Sequence, residues 1–317
     1  MVFMRGSPYT DLTRPPLHES ALRRALVVPD GLWTELRVVA ETGSTNADVA
    51  AAARAHAPEG LVIIAESQSA GRGRLERRWY TPARAGLTLS VLLRPVPAVP
   101  VARLGWLPLL AGVALVEAVG RIGVVDAALK WPNDLLVRSA AESDGEAAAK
   151  GAPEGGAVSH GRAGYGKCAG VLAEAVNGGE HPAVVLGVGL NVNQRADELP
   201  DSADPSAFPA TSLAVVGAVC TDRDPLLRGL LRALAGWYAR WCAAGGDPDA
   251  SGLRDAYRSH CVTIGQKVTV SLPGGEVVGG VASDVDADGR LLVAAAEGSR
   301  AFAAGDVRHV RRPRYSG

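Results

Sequence analysis

The chain has 317 residues and balances 33 Lys and Arg against 33 Asp and Glu, so its formal net charge is zero. Because bulk affinity for nucleic acid depends on many uncompensated cations, this balance argues against a general polyanion-binding protein. The length is typical of two domains, or of one large and one small domain. The most apolar segment, from Leu104 to Gly120, is interrupted by Pro108 and Glu117, so we expect no membrane span.

The cysteines and the amino terminus bear on the cellular compartment. The four cysteines are Cys168, Cys220, Cys242 and Cys261. They lie far apart and form no C-x-x-C pair, which favours buried thiols over a disulfide framework or a zinc site. Residues 1–17 lack the basic segment and the apolar core of a signal peptide. The sequence therefore predicts a cytoplasmic protein.

The pattern of secondary structure begins after a Pro-rich start. Residues 1–30 contain four prolines and little periodicity, which predicts a mostly disordered tail with a short helix at 19–26. Such a tail is too short for a helix-turn-helix domain. The patterns then predict strands at 33–39, 61–65, 87–93, 127–137, 167–176 and 183–193. They also predict three helices. The first begins at Ser44 or Thr45 and ends before Pro58, the second covers 101–122, and the third begins at an Asp224 cap and ends at Gly245.

Two further stretches define the domain organisation. Residues 139–166 are mainly Ala, Gly, Glu and Ser with almost no large apolar side chains, which predicts a disordered surface insertion. From Val262 onward, short alternating strands are separated by turns, which predicts a small β-barrel. We therefore expect one large domain over 31–260 and a small β domain over 261–313.

Four segments carry polar chemistry between buried strands. The first runs from Gln68 through Gly71-Arg72-Gly73-Arg74 to Trp79. Its glycines allow close approach of the backbone to a ligand, and its arginines suit a carboxylate or a phosphate. A solvated turn would have the same composition. The position of the segment between two buried strands favours a binding site.

The other three segments are weaker when each is taken alone. Lys130-Trp131-Pro132-Asn133-Asp134 is a compact polar set, or simply a Pro turn at a strand end. Lys167 opens an apolar strand, where a solubilising lysine is common. Gly187-x-Gly189 interrupts a β-branched strand, which indicates close approach of a ligand or packing against a helix.

In this order, the segments together resemble the biotin protein ligases. The matching pieces are Ser44-Thr45-Asn46, Gly71-Arg72-Gly73-Arg74 with Trp79, Lys130-Trp131-Pro132-Asn133-Asp134, Lys167-x-x-Gly170, Gly187-x-Gly189-x-Asn191-Val192 and Thr211-Ser212-Leu213. The resemblance covers residues 35 to 312. It implies an α+β fold: a mixed sheet with flanking helices, similar to class II aminoacyl-tRNA synthetases, followed by a small SH3-like β-barrel.

The resemblance also implies the site residues. It assigns biotin binding to Ser44, Thr45, Asn46, Gln68, Arg72, Gly73, Arg74, Lys167, Gly187 and Gly189. It assigns ATP binding to Arg72, Arg74, Trp79, Lys130, Asn133, Lys167 and Asn191. Hydroxyls and amides are the partners expected for the ureido head of biotin, which has one strong acceptor and two N–H donors. Metal ligands are not implied.

The reaction implied is ATP-dependent attachment of biotin to a lysine of a biotin carboxyl carrier domain, as in acetyl-CoA or acyl-CoA carboxylase, through biotinyl-5′-AMP. Two anions must meet in the first step, so Arg72, Arg74, Lys167 and Mg²⁺ on the triphosphate are the candidate cations. Asp134 is the candidate to orient the acceptor lysine or to accept its proton. We expect no nucleic-acid or membrane partner, and a homodimer is possible because many relatives dimerise.

One departure and two alternatives remain. Glu76 stands where the family loop commonly has glycine. Glu is strained at positive φ and adds a negative charge, so we expect it to impair closure of the loop. Glu76→Gly should therefore slow the release of biotinyl-AMP.

A lipoate–protein ligase or octanoyltransferase shares the domain plan, although the Gly-Arg-Gly-Arg loop and the β domain favour biotin. A biotin-responsive transcriptional repressor is the alternative from another class, and the short start of the chain argues against it.

Overall fold

A computed structural model describes residues 14–75, 77–95, 97–138, 164–177, 181–201, 207–272 and 275–310. The helices are α1 Glu19–Leu26, α2 Thr45–Arg54, α3 Trp106–Ala118, α4 Arg223–Ala243 and α5 Leu253–His260. The strands are β1 Glu35–Val39, β2 Leu61–Ala65, β3 Gly86–Leu93, β4 Asp126–Lys130, β5 Asp134–Arg138, β6 Gly166–Val176, β7 Ala183–Asn191, β8 Lys267–Ser271, β9 Val277–Val285, β10 Leu291–Ala295, β11 Gly298–Phe302 and β12 Asp306–His309.

The large domain is built on a mixed sheet of seven strands in the order β1-β2-β3-β7-β6-β5-β4. Strands β1 and β2 are parallel, and each of the other neighbouring pairs is antiparallel. Every residue of β2, β3 and β7 is buried, which explains why their sequences are nearly continuous apolar runs rather than alternating ones. The predicted α+β fold with a mixed sheet is confirmed.

The helices cover the two faces of this sheet unequally. On one face, Leu89 and Val91 of β3 join the core that includes α3 and α4. On the other face, Leu92 packs with Val49 of α2 in a smaller cluster. Because neighbouring side chains of a strand point to opposite faces, Ser90 and Thr88 lie on the α2 face. The short helix α2 leaves the rest of that face open, and the candidate site lies there.

The single strand predicted over 127–137 is wrong. The structure has two antiparallel strands there, β4 and β5, with Lys130 paired to Asp134 across the turn. The strands on both sides of the turn are similarly apolar, so the sequence pattern does not show where one strand ends and the next begins. The polar motif at 130–134 is therefore a hairpin turn rather than the end of one strand.

Two helix predictions also need correction, and a third helix was not predicted. Over 101–122, only Trp106–Ala118 is α-helical, with a 3₁₀ turn at Val101–Gly105 before it and a π turn at Val119–Gly123 after it. Helix α4 begins one residue before Asp224, and its cap is Asp222, whose side chain accepts a hydrogen bond from the Asp224 amide at 2.9 Å. Helix α5 was not predicted, because its eight residues are mostly polar.

The predicted disordered tail is wrong for residues 14–30. The short helix at 19–26 is confirmed as α1, and its Leu22 and Leu26 are buried in the main core together with Leu17. The buried Glu66–Arg223 ion pair, with atoms 2.5 Å apart, holds this segment through hydrogen bonds to the main chain. Glu66 accepts from the Leu17 amide at 2.6 Å, and Arg223 donates to the Pro15 carbonyl at 2.6 Å.

The insertion predicted over 139–166 lies outside the described residues as far as residue 163. Its last residues are ordered: Tyr165 is buried and donates a hydrogen bond to Asp126 at 2.9 Å, and Gly166 begins β6. A buried aromatic ring with a hydrogen-bonded hydroxyl places Tyr165 in the fold, so the predicted disorder is wrong for residues 164–166.

The C-terminal residues form a second sheet of five antiparallel strands, in the order β11-β10-β9-β8-β12. This arrangement is consistent with the predicted SH3-like architecture. The sheet contacts the large domain through the turn between β9 and β10: the Trp106 and Trp131 indoles donate to the Ala287 and Gly289 carbonyls at 3.0 Å and 3.2 Å. Helix α5 ends at His260, and the domain boundary at 260/261 stays a prediction.

Within the described residues, one helical segment, Val101–Gly123, is long and apolar enough to cross a membrane by length and composition. Most of it is buried inside the protein. Residues of α3 such as Leu110 and Leu115 are fully buried in the main core. Its apolar character is therefore explained by packing against α4 and the sheet.

Substitution of Leu22 by Ala tests the docking of α1. The side chain of Leu22 has no solvent exposure, so its truncation should lower the free energy of unfolding by about 2–5 kcal/mol. Arg24→Ala on the exposed side of the same helix should change it by less than about 0.5 kcal/mol. Urea denaturation of the two variants measures the difference, and equal effects would contradict the packing of this segment.

Candidate functional site

The open part of the α2 face forms a cavity of about 490 Å³. Residues from both sheets and from the loops after β2 and β7 line it. Every site residue suggested by the sequence is among the lining residues: Ser44, Thr45, Asn46, Gln68, Arg72, Gly73, Arg74, Trp79, Lys130, Asn133, Asp134, Lys167, Gly187, Gly189 and Asn191. Motifs scattered over 148 positions, from 44 to 191, thus meet in one place.

The floor of the cavity depends on glycines in neighbouring strands. Gly170 of β6 and Gly189 of β7 are directly paired, and the Trp79 ring lies over them. A Cβ atom at Gly189 would lie 2.3 Å from Cε2 of Trp79, and one at Gly170 would lie 3.4 Å from Cζ3. The Trp79 indole N–H is buried and has no acceptor among the described residues, so its hydrogen-bonding capacity is unused.

The Gly-Arg loop folds back on itself above this floor. The Gly73 amide donates to the Arg77 carbonyl at 2.7 Å, and the Trp79 amide donates to the Gly71 carbonyl at 3.0 Å. A Cβ atom at Gly71 would lie 2.3 Å from the Trp79 carbonyl oxygen, so only glycine permits this close pairing. Glu76, the predicted obstacle to loop closure, lies outside the described residues.

The small β domain holds the same loop. Arg77 Nη2 lies 2.9 Å from Asp306 Oδ2, and Arg308 Nε lies 3.7 Å from the same oxygen. Asp306 begins β12, and Gly305 to Arg308 line the cavity. The β domain therefore forms part of the site wall.

Asp134 is a carboxylate between two lysines, and its side chain is only 14% exposed. Its Oδ1 lies 2.7 Å from Lys167 Nζ, and its Oδ2 lies 3.8 Å from Lys130 Nζ. Burial by itself raises the pKa of Asp134, but the Lys167 and Lys130 charges outweigh it and hold that pKa below its usual range. Burial lowers the pKa of Lys130, while the charge of Asp134 opposes this shift.

A cationic end of the cavity follows from these groups. Burial lowers the pKa of Arg74, and the charges of Asp134 and Asp306 oppose that shift, which places Arg74 near both acids. The three cations Lys130, Lys167 and Arg74 outnumber the two carboxylates of Asp134 and Asp306. With Arg72 on the loop, the arrangement suits a ligand that carries more than one negative charge.

The opposite end contains hydroxyl and amide groups at the start of α2. Gln68 Oε1 accepts from the Thr45 amide at 2.8 Å and from the Thr45 hydroxyl at 3.1 Å. Ser90 Oγ lies 2.7 Å from Thr45 Oγ1. Because both Thr45 groups donate to the Gln68 oxygen, the Gln68 Nε2 donors face away from Thr45.

Two of the three predicted asparagines, Asn133 and Asn191, hold parts of the cavity wall together. Asn133 Nδ2 donates to the Val171 carbonyl at 2.9 Å, which ties the hairpin turn to β6. Asn191 Nδ2 donates to the Thr211 carbonyl and its Oδ1 accepts from Gln194, both at 2.9 Å. Both ends of the Asn191 side-chain amide are therefore anchored to protein, which fixes its orientation at the cavity wall.

Sequence reasoning missed three residues at or beside the cavity. Ser90 had a signal, because it is the polar residue at the centre of an apolar strand. Glu174 also had a signal, because it is the charged residue that ends the segment opened by Lys167. In the structure it accepts a hydrogen bond from Asn46 at 2.6 Å. Asp306 had none, because its partner Arg77 is more than 200 residues away.

Comparison with known proteins gives matches over both domains. The model of the Biotin/lipoate A/B protein ligase family matches residues 41–191. The model of the Biotin protein ligase C terminal domain matches residues 263–310. These ranges include the motifs around the cavity and the five strands of the small sheet.

Individual relatives agree with the family matches. The Biotin–[acetyl-CoA-carboxylase] ligase of Mycobacterium tuberculosis is 42% identical over 305 residues, which is 95% of this chain and 98% of that protein. The Bifunctional ligase/repressor BirA of Bacillus subtilis is 27% identical over 80% of this chain and 67% of its own length. The biotin protein ligase from Aquifex aeolicus, solved in complex with biotin and ATP, has the same fold with a TM-score of 0.63 at 22% identity, covering 88% of this chain and 100% of that one.

Substitution of Asp306 by Ala tests the hold of the β domain on the Gly-Arg loop. Loss of this partly exposed ion pair is worth about 1 kcal/mol, so the loop should open about fivefold more often. The rate of tryptic cleavage at Arg72 to Arg78 in the native protein measures this opening.

Asp284→Ala is the matched control for that experiment. Asp284 has the same exposure as Asp306, 23% against 24%, and it also pairs with an arginine, Arg258, but away from the loop. Its loss should leave loop cleavage unchanged. Equal cleavage rates in the two variants would show that Asp306 does not restrain the loop.

Proposed function

We infer that the chain, which belongs to the biotin protein ligase family, attaches biotin to a lysine of the biotin carboxyl carrier domain of acetyl-CoA carboxylase at the expense of ATP. The observation that carries this inference is the single cavity with a cationic end at Lys130, Lys167 and Arg74 and an amide end at Thr45 and Gln68. Biotin has the same two ends, a carboxylate and a ureido head. The 42% identity to a biotin ligase over nearly the whole chain supports the same activity.

We assign the first step to the cationic end. A carboxylate oxygen of biotin attacks the α-phosphorus of ATP, the bond from that phosphorus to the bridging oxygen breaks, and pyrophosphate leaves. Biotinyl-5′-AMP results. Arg72, Arg74 and Lys167 reduce the repulsion between the two anions and hold them in line, which is electrostatic and positional catalysis.

The second step transfers biotin to the carrier. The neutral amine of the acceptor lysine attacks the acyl carbon of biotinyl-5′-AMP, AMP leaves with the bond electrons, and an amide forms after loss of the amine proton. Asp134 is a weak base, because two lysines hold its pKa below the usual range. We therefore assign it to the positioning of Lys167 rather than to proton transfer.

We assign the remaining residues by their place in the cavity. Ser44, Thr45, Asn46 and Gln68 bind the ureido head, with Gly187 and Gly189 leaving room for the ring system and Gly73 for the closed loop. Trp79, Lys130, Asn133 and Asn191 belong to the nucleotide end. The indole N–H of Trp79 and the uncommitted Nε2 donors of Gln68 are the groups with capacity for new hydrogen bonds.

Mg²⁺ enters, in our proposal, with the triphosphate. Among the described residues, no group of three or more His, Cys, Asp and Glu side chains could hold a metal ion, and the carboxylate of Asp134 is already paired with two lysines. These residues do not fit a metal site of the protein's own. Phosphate oxygens and water are the usual ligands of Mg²⁺ in nucleotide complexes, so no protein residue is assigned to it.

The wider setting follows from the same features. We propose a cytoplasmic enzyme, supported by four cysteines that are all free thiols. Specific DNA binding is not part of the proposal, because the zero net charge offers no broad cationic surface. A homodimer stays a prediction from the resemblance.

Lys167→Ala tests the cationic end. Loss of one cation at the developing charge should lower biotin- and ATP-dependent pyrophosphate release by about 100- to 1,000-fold. Lys267→Ala removes one of the other three lysines, an exposed one on β8, and should leave the rate unchanged. Pyrophosphate release without dependence on biotin in the unmodified chain would contradict the proposed function.

Asp134→Asn tests the paired carboxylate by its pH dependence. The folded pKa is depressed, so the charge of Asp134 contributes stability above the unfolded pKa and loses it as pH falls through the folded value. The unfolding free-energy difference between wild type and variant should therefore be constant from about pH 5 to 8 and shrink only below about pH 4.

Urea titrations across that range measure the difference. Transfer of biotin from preformed biotinyl-AMP should also slow in Asp134→Asn, since Lys167 loses its closest partner. Normal transfer by the variant, or a stability difference that decays near neutral pH, would contradict this role of Asp134.

A further inference from the structure

Asn46 is held on three sides at the amide end of the cavity. Its Nδ2 lies 2.6 Å from Glu174 Oε2, and its Oδ1 lies 2.6 Å from Ser90 Oγ. A Cβ atom at Gly187 would lie 2.0 Å from Asn46 Oδ1, so the carboxamide rests directly on the backbone of β7. Asn46 is 5% exposed and lines the cavity, whereas Glu174 lies behind it.

The partners of Asn46 determine which way its amide points. An ionised carboxylate only accepts hydrogen bonds, so the NH₂ group of Asn46 must face Glu174. The carbonyl oxygen is then turned toward Ser90 and Gly187. A charged acceptor makes this hydrogen bond stronger than one between neutral groups.

The neighbouring amide is oriented in the opposite sense. Gln68 Oε1 accepts from both donors of Thr45, so its NH₂ group is the part left for other partners. A Cβ atom at Gly71 would lie 2.7 Å from Gln68 Nε2, which places these donors beside the Gly-Arg loop. The end of the cavity thus combines an acceptor on Asn46 with a donor on Gln68.

We propose that Glu174 is a positioning residue that selects ureido-containing acids by fixing the carbonyl of Asn46 as an acceptor. The proposal rests on the proposed function and adds a determinant of its substrate class. A ureido group has one strong acceptor and two N–H donors, which matches a donor from Gln68 and an acceptor from Asn46. Glu174 acts through Asn46 and does not line the cavity itself.

This arrangement disfavours carboxylic acids that lack an N–H donor. The Asn46 oxygen already accepts from the Ser90 hydroxyl, and its second lone pair can accept from a ligand N–H. An aliphatic or dithiolane acid, such as octanoate or lipoate, offers no donor for that second position. A site built to hydrogen-bond a substrate N–H favours a ligand that supplies this donor over an analogue that lacks it, because only the first gains the hydrogen bond. Glu174 therefore separates biotin from the acids used by related acyl ligases.

The test compares Glu174→Ala with Glu174→Gln in steady-state pyrophosphate release. Loss of a hydrogen bond to a charged group should raise the KM for biotin in Glu174→Ala by roughly 10- to 100-fold, with kcat at saturating biotin within about twofold of wild type. Glutamine keeps an acceptor oxygen at the same reach, so Glu174→Gln should restore the KM to within about threefold of wild type.

Two controls separate positioning from damage to the fold. Glu35→Ala on the edge strand β1 removes an exposed glutamate of the same sheet and should leave the KM unchanged. Inhibition by octanoate, which has no N–H donor, should be unchanged in Glu174→Ala, while inhibition by desthiobiotin, which keeps the ureido group, should weaken with biotin.

The outcomes are distinct. A KM for biotin within twofold of wild type in Glu174→Ala would overturn the proposal, as would equal weakening of octanoate and desthiobiotin or a fall in kcat that Glu174→Gln does not restore. Absence of biotin-dependent pyrophosphate release from the unmodified chain would instead overturn the proposed function, and this selectivity with it.

Discussion

A carboxylate that is largely withdrawn from water needs cations around it. The side chain of Asp134 is only 14% exposed, so its pairing with lysines constrains the whole site. Lys167 lies 2.7 Å away and Lys130 lies 3.8 Å away, so the turn of the β4–β5 hairpin and the start of β6 must stay together. An uncompensated charge in this position would cost several kcal/mol. The same pairing leaves a net positive group facing the cavity, which is why one interaction both stabilises the hairpin and prepares the site for anions.

The cavity itself exists because side chains are absent from one face of the sheet. Gly170 and Gly189 form a direct pair below Trp79, and Gly187 lies against Asn46. Glycine weakens a strand interior, and that cost is offset by the burial of the Trp79 ring and by hydrogen-bonded polar groups such as Ser90. The opposite face, covered by α3 and α4, has ordinary apolar packing. Stability and function are thus divided between the two faces.

Contacts between segments that are distant in sequence hold both the core and the cavity together. The Glu66–Arg223 pair anchors the segment before α1 to the main core, and Trp131 anchors the β domain from the same motif that carries Lys130 and Asp134. The β domain in turn supplies Asp306 to the Gly-Arg loop. Its packing therefore bears on the site as well as on the fold.

Local patterns determined a large part of this protein. Strand β2 was predicted to the residue, because a continuous apolar run reports burial on both faces, and the ordered motifs from Ser44 to Asn191 identified the cavity-lining residues. The tertiary structure alone decided the rest. Leu22 is buried on α1, which packs against α4. Arg77 pairs with Asp306, and Asn46 of α2 donates to Glu174 of β6. Each of these contacts joins segments that are far apart in the chain. Sequence periodicity depends only on residues that are close along the chain, so it cannot predict which distant residues pair.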